Sequence, residues 1–231
     1  MQLQLNSRET ALLKAVAEAA AKIGVSAFAV GGFVRDKILE RPTKDIDVVC
    51  IGDGMALAQA FSKLFHPNPP VSLFKTFGTA QVKFDDIEIE FVGARKESYA
   101  RHSRKPEVSP GTIEDDQNRR DFTVNALAIE LNVAHFGHII DPFGGLEDLQ
   151  NKILKTPLAP AQTFDDDPLR MMRAIRFATQ LDFTITEETF KGIQQIADRI
   201  SIVSQERITD ELQKIMMTKT PSKGWYLLKE A

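Results

Sequence analysis

The sequence predicts an α+β fold, in which an α/β head is followed by a helical part. Apolar and polar residues alternate over 45–51, 79–84 and 87–92, which is the period of β-strands with one buried face. Helical periods separate these stretches. After Ile140 we find only helical patterns, so we place a head at 1–140 and a helical neck at 141–231.

The elements of the head follow from local signals. Leu12, Leu13 and Val16 recur at helical spacing over 7–23, and Gly24 is suited to end that helix. The apolar run 26–30 predicts a buried strand that turns at Gly31-Gly32. The other predicted elements are a helix around Val34 and Ile38, a strand at 45–51, a helix at 55–65, a hairpin of 79–84 and 87–92, a loop over most of 93–120, and helices near 145–151, 166–181, 186–199 and 205–217.

Composition excludes several classes of protein. The chain has 231 residues, of which 43% are hydrophobic, and its net charge is −3. A slightly acidic chain argues against nucleic-acid binding over the whole surface. The single cysteine, Cys50, excludes an intramolecular disulfide and fits a reducing compartment, so we expect a cytoplasmic protein. We expect no membrane span, because no long apolar run occurs.

A pair of carboxylates is the first candidate site. Asp45 and Asp47 are two residues apart on a predicted strand, so both side chains point to one face. Their repulsion is relieved by hydration, by protonation or by a hard divalent cation. The Gly31-Gly32 turn lets backbone approach a ligand, and Arg35 lies in the first turn of the helix behind it. A bare D-x-D is most often a solvated pair, but its coupling to G-G-x-V-R-D favours a site.

A third carboxylate depends on how the strands are ordered. Glu88 and Glu90 share one face of the strand 87–92. Either could neighbour the aspartates if the two strands are adjacent. A solvated hairpin face explains Glu88 equally well.

Arginine-rich segments supply two further candidates. Arg119 and Arg120 precede a predicted helix containing Phe122 and Leu127, and Asp121 either caps that helix or contributes to a site. The segment DDDPLRMMRAIRF predicts a helix with Pro168 in its first position and Asp167 as its cap.

Along this second helix Arg170, Arg173 and Arg176 form a stripe, because they step by three residues. A charged outer face is the simple explanation. Because the stripe contains no acidic residue to compensate the arginines, a nucleotide-binding surface is favoured over this explanation.

The ordered set of motifs resembles the class II tRNA nucleotidyltransferases (CCA-adding enzymes) and the bacterial poly(A) polymerases. The matching segments span about residues 28–212; they are GGFVRD with DID, IEFVGAR, RRDFTVNALA, DPFGGLEDL, DDDPLRMMRAIRFA and ERITDEL. The resemblance implies a polymerase-beta-like nucleotidyltransferase head with a mixed sheet and an all-helical neck. Family members usually continue into further helical domains that hold RNA, so this chain looks like the head and neck.

The resemblance also implies roles for individual residues. It implies that Asp45, Asp47 and Glu90 are catalytic and hold two Mg²⁺ ions. It implies a protein template of Asp167 and Arg170, which reads the edges of C or A. The other implied nucleotide contacts are Gly32, Arg35, Arg120, Asp121, Asn125, Arg173 and Arg176.

The implied reaction is addition of CCA to tRNA 3′ ends from CTP and ATP, releasing pyrophosphate. The partners would be the tRNA 3′ end and nucleoside triphosphates, with no membrane. Poly(A) synthesis and CC-only or A-only addition share the head motifs and stay open. Two alternatives from other classes are a nucleotide-binding fragment without turnover and a metal-dependent phosphohydrolase. The basic segment 95–105, with Arg95, Lys96, Arg101, Arg104 and Lys105, either touches RNA or is a solvated loop.

Overall fold

The computed structural model describes residues 3–98 and 107–231, apart from the side chains of residues 98 and 107. Contacts divide the chain into two compact units. The first comprises the described residues of Met1–Lys96, Val108–Gln117 and Asn125–Pro142. The second comprises the described residues of Glu97–Glu107, Asn118–Val124 and Phe143–Ala231. The motif RRDFTVNALA is therefore shared between the units.

A mixed sheet of seven strands forms the first unit, in the order β3-β4-β5-β2-β1-β8-β9. Only β2 and β5 run parallel; the other neighbours in the sheet are antiparallel. These strands are β1 (Ala27–Val30), β2 (Asp45–Cys50), β3 (Val71–Phe74), β4 (Thr79–Phe84), β5 (Ile87–Gly93), β8 (Ala128–Glu130) and β9 (Ile139–Ile140). A separate two-stranded sheet is formed by β6 (Arg95–Ser98) and β7 (Glu107–Pro110).

Four helices accompany these strands, and they are α1 (Ser7–Ile23), α2 (Gly32–Ile38), α3 (Gly54–Ser62) and α4 (Ile113–Asn118). Helix α1 begins where predicted because Asn6 and Glu9 form a reciprocal capping box, and it ends at Gly24 in the left-handed conformation. Helices α1 and α3 pack against each other, and α3 also packs on β4 and β5.

The two faces of the central strands differ in burial. Ile46, Val48, Ile89 and Phe91 are each at most 2% exposed, and they form the core on one face. Each such side chain contributes about 1.5–3 kcal/mol by its removal from water. The opposite face carries the carboxylates at the start of β2, where Asp45 is exposed, and farther along it carries a second buried cluster that includes Val49, Phe28 and Val30. The difference in burial that the alternating sequence predicts is therefore confined to the start of β2.

The second unit is mainly helical. Its helices are α5 (Gly145–Gln150), α6 (Pro160–Asp166), α7 (Leu169–Leu181), α8 (Glu187–Ile196), α9 (Gln205–Met216) and α10 (Pro221–Glu230). Helix α7 packs against α9 and α10, and α6 packs against α8. No helix in the described part of the chain is long and apolar enough to cross a membrane.

Three details of the sequence interpretation are wrong. The pattern predicts a loop over most of 93–120, but the described residues of this segment include β6, β7 and α4. The predicted helix after Arg120 is only the 3₁₀ turn Thr123–Asn125, and the chain then enters the buried strand β8. Strands also occur after residue 140, because β10 (Ile153–Leu154) pairs with β11 (Thr184–Ile185). Each of these pieces is too short to show a period.

Candidate active site

The carboxylates of β2 and β5 are brought together by strand register. In the parallel pair, Asp45 lies opposite Glu88 and Asp47 lies opposite Glu90. Since neighbouring strands are about 4.8 Å apart, the four side chains emerge from one small area of the sheet. The sequence pattern alone does not decide whether these strands are adjacent, and the register shows that they are.

The two glutamates of β5 have different surroundings. Glu88 accepts hydrogen bonds from Gln81 Nε2 and from Lys83 Nζ, both at 2.9 Å. These contacts match a solvated hairpin face, which is the alternative explanation for Glu88. Glu90 is exposed and lines a pocket of about 440 Å³ beside Gln81 and Arg95. Of the two, Glu90 is the carboxylate that faces an open pocket.

The chemistry of this donor set suits a hard cation. Carboxylate oxygens are the ligands that magnesium prefers, and magnesium is bound through one or two protein carboxylates together with substrate phosphates. Among the described residues, no group of three or more His, Cys, Asp or Glu side chains is arranged so that it could hold a metal ion. Asp45, Asp47 and Glu90 thus supply ligands of the type that magnesium prefers on one face of the sheet, but they do not form a three-ligand cluster.

The Gly31-Gly32 turn separates β1 from α2. Gly31 has φ of 71° and ψ of −131°, a conformation that residues with a Cβ rarely adopt. Gly32 has an ordinary φ, and a Cβ built there would meet its nearest atom, Arg35 Nη2, at 3.7 Å. Gly31 is therefore the position where the backbone conformation requires glycine. At Gly32 the lack of a side chain leaves the surface of the turn open.

Arg35 is held inside the first unit rather than displayed on its surface. It is 7% exposed, and Nε and Nη2 donate to the two carboxylate oxygens of Asp36 at 2.9 and 2.8 Å. Its Nη1 donates to Asn125 Oδ1 at 2.6 Å. Two of the predicted nucleotide contacts, Arg35 and Asn125, are thus bonded to each other across 90 residues of sequence.

A cleft rich in arginine lies within the second unit and has a volume of about 270 Å³. Five arginines and two aspartates line this arginine cleft: Arg119, Arg120, Asp121, Asp167, Arg170, Arg173 and Arg207. Five of the residues predicted to contact nucleotide are in this set. The excess of guanidinium groups over carboxylates suits an anionic ligand.

Arg173 is oriented by an acid from a distant segment. Its Nε lies 2.7 Å and its Nη2 2.6 Å from Asp121 Oδ2, and the Asp121 side chain is buried. The charge of Asp121 raises the pKa of Arg173 above its ordinary value, against the opposing effect of burial. Asp121 also accepts from the backbone N–H of Phe122 at 2.9 Å, so its position is fixed by both partners.

Arg170 and Asp167 occupy the start of α7. Arg170 is 8% exposed and donates to the carbonyls of Thr163 and Arg119 at 3.2 and 2.6 Å. Asp167 accepts from Leu169 N–H at 3.2 Å, and its other oxygen lies 3.6 Å from Arg207 Nη2. The helix begins at Leu169 with Pro168 as its cap residue, one position later than the sequence suggested.

Arg176 has a structural environment. It is 9% exposed, Nε donates to Glu211 Oε2 at 2.5 Å, and its Cζ lies 3.9 Å from the centre of the Phe177 ring. Burial lowers the pKa of Arg176, although the charge of Glu211 opposes that effect. The arginine stripe therefore has compensating acids, but Asp121 and Glu211 come from other segments.

Two lining or supporting residues were not singled out from the sequence. Arg207 lines the arginine cleft, and Glu211 binds Arg176. Both lie in ERITDEL, where they are four residues apart and so share a helix face. The spacing of Arg207 and Glu211 in that motif indicates a shared helix face. Nothing in the motif indicates which other segment the two side chains contact.

Comparison with known proteins identifies the family of the chain. A family model described as the poly A polymerase head domain matches residues 27–155, which is more than half of the chain. A second model, described as a probable RNA and SrmB-binding site of polymerase A, matches residues 182–231.

Individual relatives point the same way. The chain is 41% identical over 169 residues to an A-adding tRNA nucleotidyltransferase of Aquifex aeolicus, covering 73% of this chain and 20% of that protein. It is 37% identical over 217 residues to a CCA-adding enzyme of Anoxybacillus flavithermus, covering 93% of this chain and 52% of the relative.

A solved tRNA nucleotidyltransferase, complexed with a primer tRNA and an incoming ATP analog, superposes with a TM-score of 0.81 at 31% identity. The match covers 93% of this chain and 60% of that structure. The chain thus spans less than two thirds of the length of these relatives. From the family match and the shared fold, the chain belongs to the family of the poly A polymerase head domain, with a polymerase-beta-like nucleotidyltransferase head.

Proposed function

We propose that this chain is the nucleotidyltransferase part of an enzyme that adds CMP, CMP and AMP to tRNA 3′ ends from CTP and ATP. The observation that carries the proposal is the register that sets Asp47 opposite Glu90, with Asp45 on the same face. The arginine cleft, which suits an anionic ligand, supports it. Membership of the family and the names of the relatives support tRNA as the acceptor.

In this proposal Asp45, Asp47 and Glu90 would hold two Mg²⁺ ions. When bound, these ions would supply Lewis-acid chemistry for ionisation of the attacking hydroxyl and for the charge on the leaving pyrophosphate. The RNA 3′-oxygen forms a bond to the α-phosphorus, and the bond from that phosphorus to the pyrophosphate oxygen breaks. The hydroxyl proton passes to solvent, so atoms and charge balance.

The remaining residues bind and orient the nucleotide. Arg120 and Arg173 provide positive charge for phosphate and ribose oxygens. Asp167 and Arg170 hydrogen-bond the base edges of C or A, and their place in the cleft lining supports this assignment. The Gly31-Gly32 turn admits close approach of a ligand, while Arg35 and Asn125 hold its shape.

The single buried thiol supports a cytoplasmic location.

An incorporation assay tests the proposal. The substrate is a tRNA lacking its terminal CCA, supplied with CTP, ATP or both, and the products are resolved at single-nucleotide length. We expect two C residues with CTP alone and CCA with both. A long tail made from ATP alone would replace the proposal by poly(A) synthesis, and products ending at CC or requiring a preformed CC would indicate a CC-adding or A-adding enzyme.

Nucleotide binding without turnover is the second candidate, because the arginine cleft suits an anionic ligand whether or not the carboxylates are catalytic. It predicts CTP and ATP binding without incorporation. Hydrolysis of nucleoside triphosphate in the absence of RNA would instead indicate a phosphohydrolase.

A further inference from the structure

Two aromatic side chains are exposed beside the proposed catalytic carboxylate. Phe77 is 72% exposed and Phe74 is 45% exposed. Both line the 440 Å³ pocket that contains Glu90. Large aromatic side chains are usually removed from water, so two of them in the wall of one pocket require an explanation.

The turn that carries these rings is well defined. Phe77 N–H donates to the carbonyl of Phe74 at 2.9 Å, which closes a tight turn between β3 and β4. Gly78 follows with φ of 66°, in the left-handed region. The chain therefore returns into β4 at Thr79, and both rings stay at the end of the sheet where Glu90 emerges.

The rest of the pocket wall is polar. Gln81 lies directly opposite Glu90 in the β4–β5 pairing, and its amide is anchored by Glu88. Thr79 and Arg95 complete the wall. A pocket of this volume falls in the range of about 300–1,000 Å³ that is typical of ligand sites. Aromatic rings next to hydrogen-bonding groups and a guanidinium are the means by which proteins bind single-stranded nucleic acid.

We propose that this aromatic pocket binds the 3′-terminal nucleotide of the acceptor RNA, with its base stacked on Phe77 or Phe74. This inference rests on the proposed function. The incoming triphosphate is the other nucleotide of the reaction, and the arginine cleft, with five guanidinium groups, matches its larger charge. A pocket with one arginine, one carboxylate and two rings suits a nucleotide that carries a single phosphodiester. Because stacking accepts any base, the pocket would serve successive steps in which the terminal base changes.

A fluorescent acceptor tests the inference directly. The probe is a tRNA acceptor-stem hairpin whose unpaired 3′-terminal nucleotide is 2-aminopurine, which loses emission when it stacks on an aromatic ring. We expect quenching on addition of the 231-residue chain, weakened in Phe77→Ala and Phe74→Ala and retained in Phe77→Tyr. We also expect the KM for the RNA to rise at least about fivefold in the alanine variants, with the KM for CTP unchanged. Val133→Ala is the matched control, because Val133 is 75% exposed.

Failure of the inference and failure of the proposed function give different results. Normal incorporation with unchanged quenching and unchanged RNA KM in both alanine variants would overturn the aromatic pocket. An increase in the KM for CTP alone would also overturn it, by making the pocket a triphosphate site. If no variant, including the wild type, incorporates nucleotide, the proposed function fails, and the quenching still reports whether the pocket binds an RNA end.

Discussion

Arg173 and Asp121 form an ion pair between α7 and a segment 52 residues earlier, with Nε and Oδ2 2.7 Å apart. Asp121 is 6% exposed, and it also accepts the N–H of Phe122. The pair therefore fixes the chain around Phe122 and aims Arg173 along the wall of the arginine cleft.

Loss of Arg173 should destabilise the protein as well as weaken nucleotide binding. Arg173→Ala leaves the Asp121 carboxylate buried without this partner, so we expect a loss of about 1–3 kcal/mol in the free energy of unfolding. Urea denaturation of Arg173→Ala, Asp121→Asn and the double variant measures the coupling. Lys191→Ala, which removes an exposed pair with Glu187, should leave the unfolding midpoint almost unchanged. Additive effects of the two cleft substitutions would contradict the pairing.

Arg176 should prove important for stability rather than for nucleotide affinity. Arg176 and Glu211 are both buried, so Glu211→Ala leaves an uncompensated guanidinium and should cost roughly 3–5 kcal/mol. Arg207→Ala removes a half-exposed side chain of the same helix and should cost under about 1 kcal/mol while weakening ATP and CTP binding. Thermal unfolding and equilibrium nucleotide binding on the two variants separate these roles. The reverse order of stabilities would refute the assignment.

Adjacent glycines should respond differently to alanine. Gly31→Ala forces a Cβ into φ of 71° and ψ of −131°, so we expect a loss of about 1–3 kcal/mol in stability. Gly32→Ala meets no atom closer than 3.7 Å and should keep the wild-type stability. If Gly32 contacts the incoming nucleotide, its alanine variant should nevertheless bind CTP more weakly. Equal stabilities of the two variants would show that the strain at Gly31 is absent.

Asp166 should make stability depend on pH. Burial raises the pKa of Asp166, and the nearby charges of Asp165 and Glu97 add to this effect while Arg170 opposes it. An acid whose pKa is higher in the folded protein than in the unfolded chain favours folding when protonated, so its contribution is lost as pH rises through its folded pKa. Asp166→Asn should therefore raise the Tm slightly at pH 7, and the gain should disappear at low pH. Asp165→Asn is the control, since it instead breaks a pair with Arg199 at 2.9 Å and should lower the Tm. A Tm for Asp166→Asn at or below the wild-type value at pH 7 would contradict the raised pKa.

Local sequence signals were sufficient to predict elements whose structure depends on the residues of that segment alone. Helical spacing over 7–23 together with Gly24 predicts the bounds of α1, and the alternation in 45–51 predicts both the strand and the face of its aspartates. Such signals do not predict hydrogen bonds between residues that are far apart in sequence. Nothing near Arg176 indicates Glu211, and nothing near Arg35 indicates that Asn125 accepts its hydrogen bond.

The segment after Arg120 shows why short buried elements are missed. Residues 123–125 form a 3₁₀ turn, and residues 128–130 form β8, a short strand that pairs with β1. Burial on every side removes the alternation that would identify a strand, so the run resembled a helix. Likewise, the choice between Glu88 and Glu90 needed the register of β2 against β5 and the contacts of Glu88.

Single-turnover incorporation of CMP by Glu90→Gln and Glu88→Gln, at saturating CTP and magnesium, tests the central claim most directly. The two substitutions are chemically identical and lie two residues apart on β5, so they share any general effect on the strand. We predict a rate at least about 100-fold lower for Glu90→Gln, as for Asp45→Ala, and a rate close to that of the wild type for Glu88→Gln. Wild-type activity in Glu90→Gln, or equal losses in both variants, would contradict the assignment of Asp45, Asp47 and Glu90 as the catalytic carboxylates.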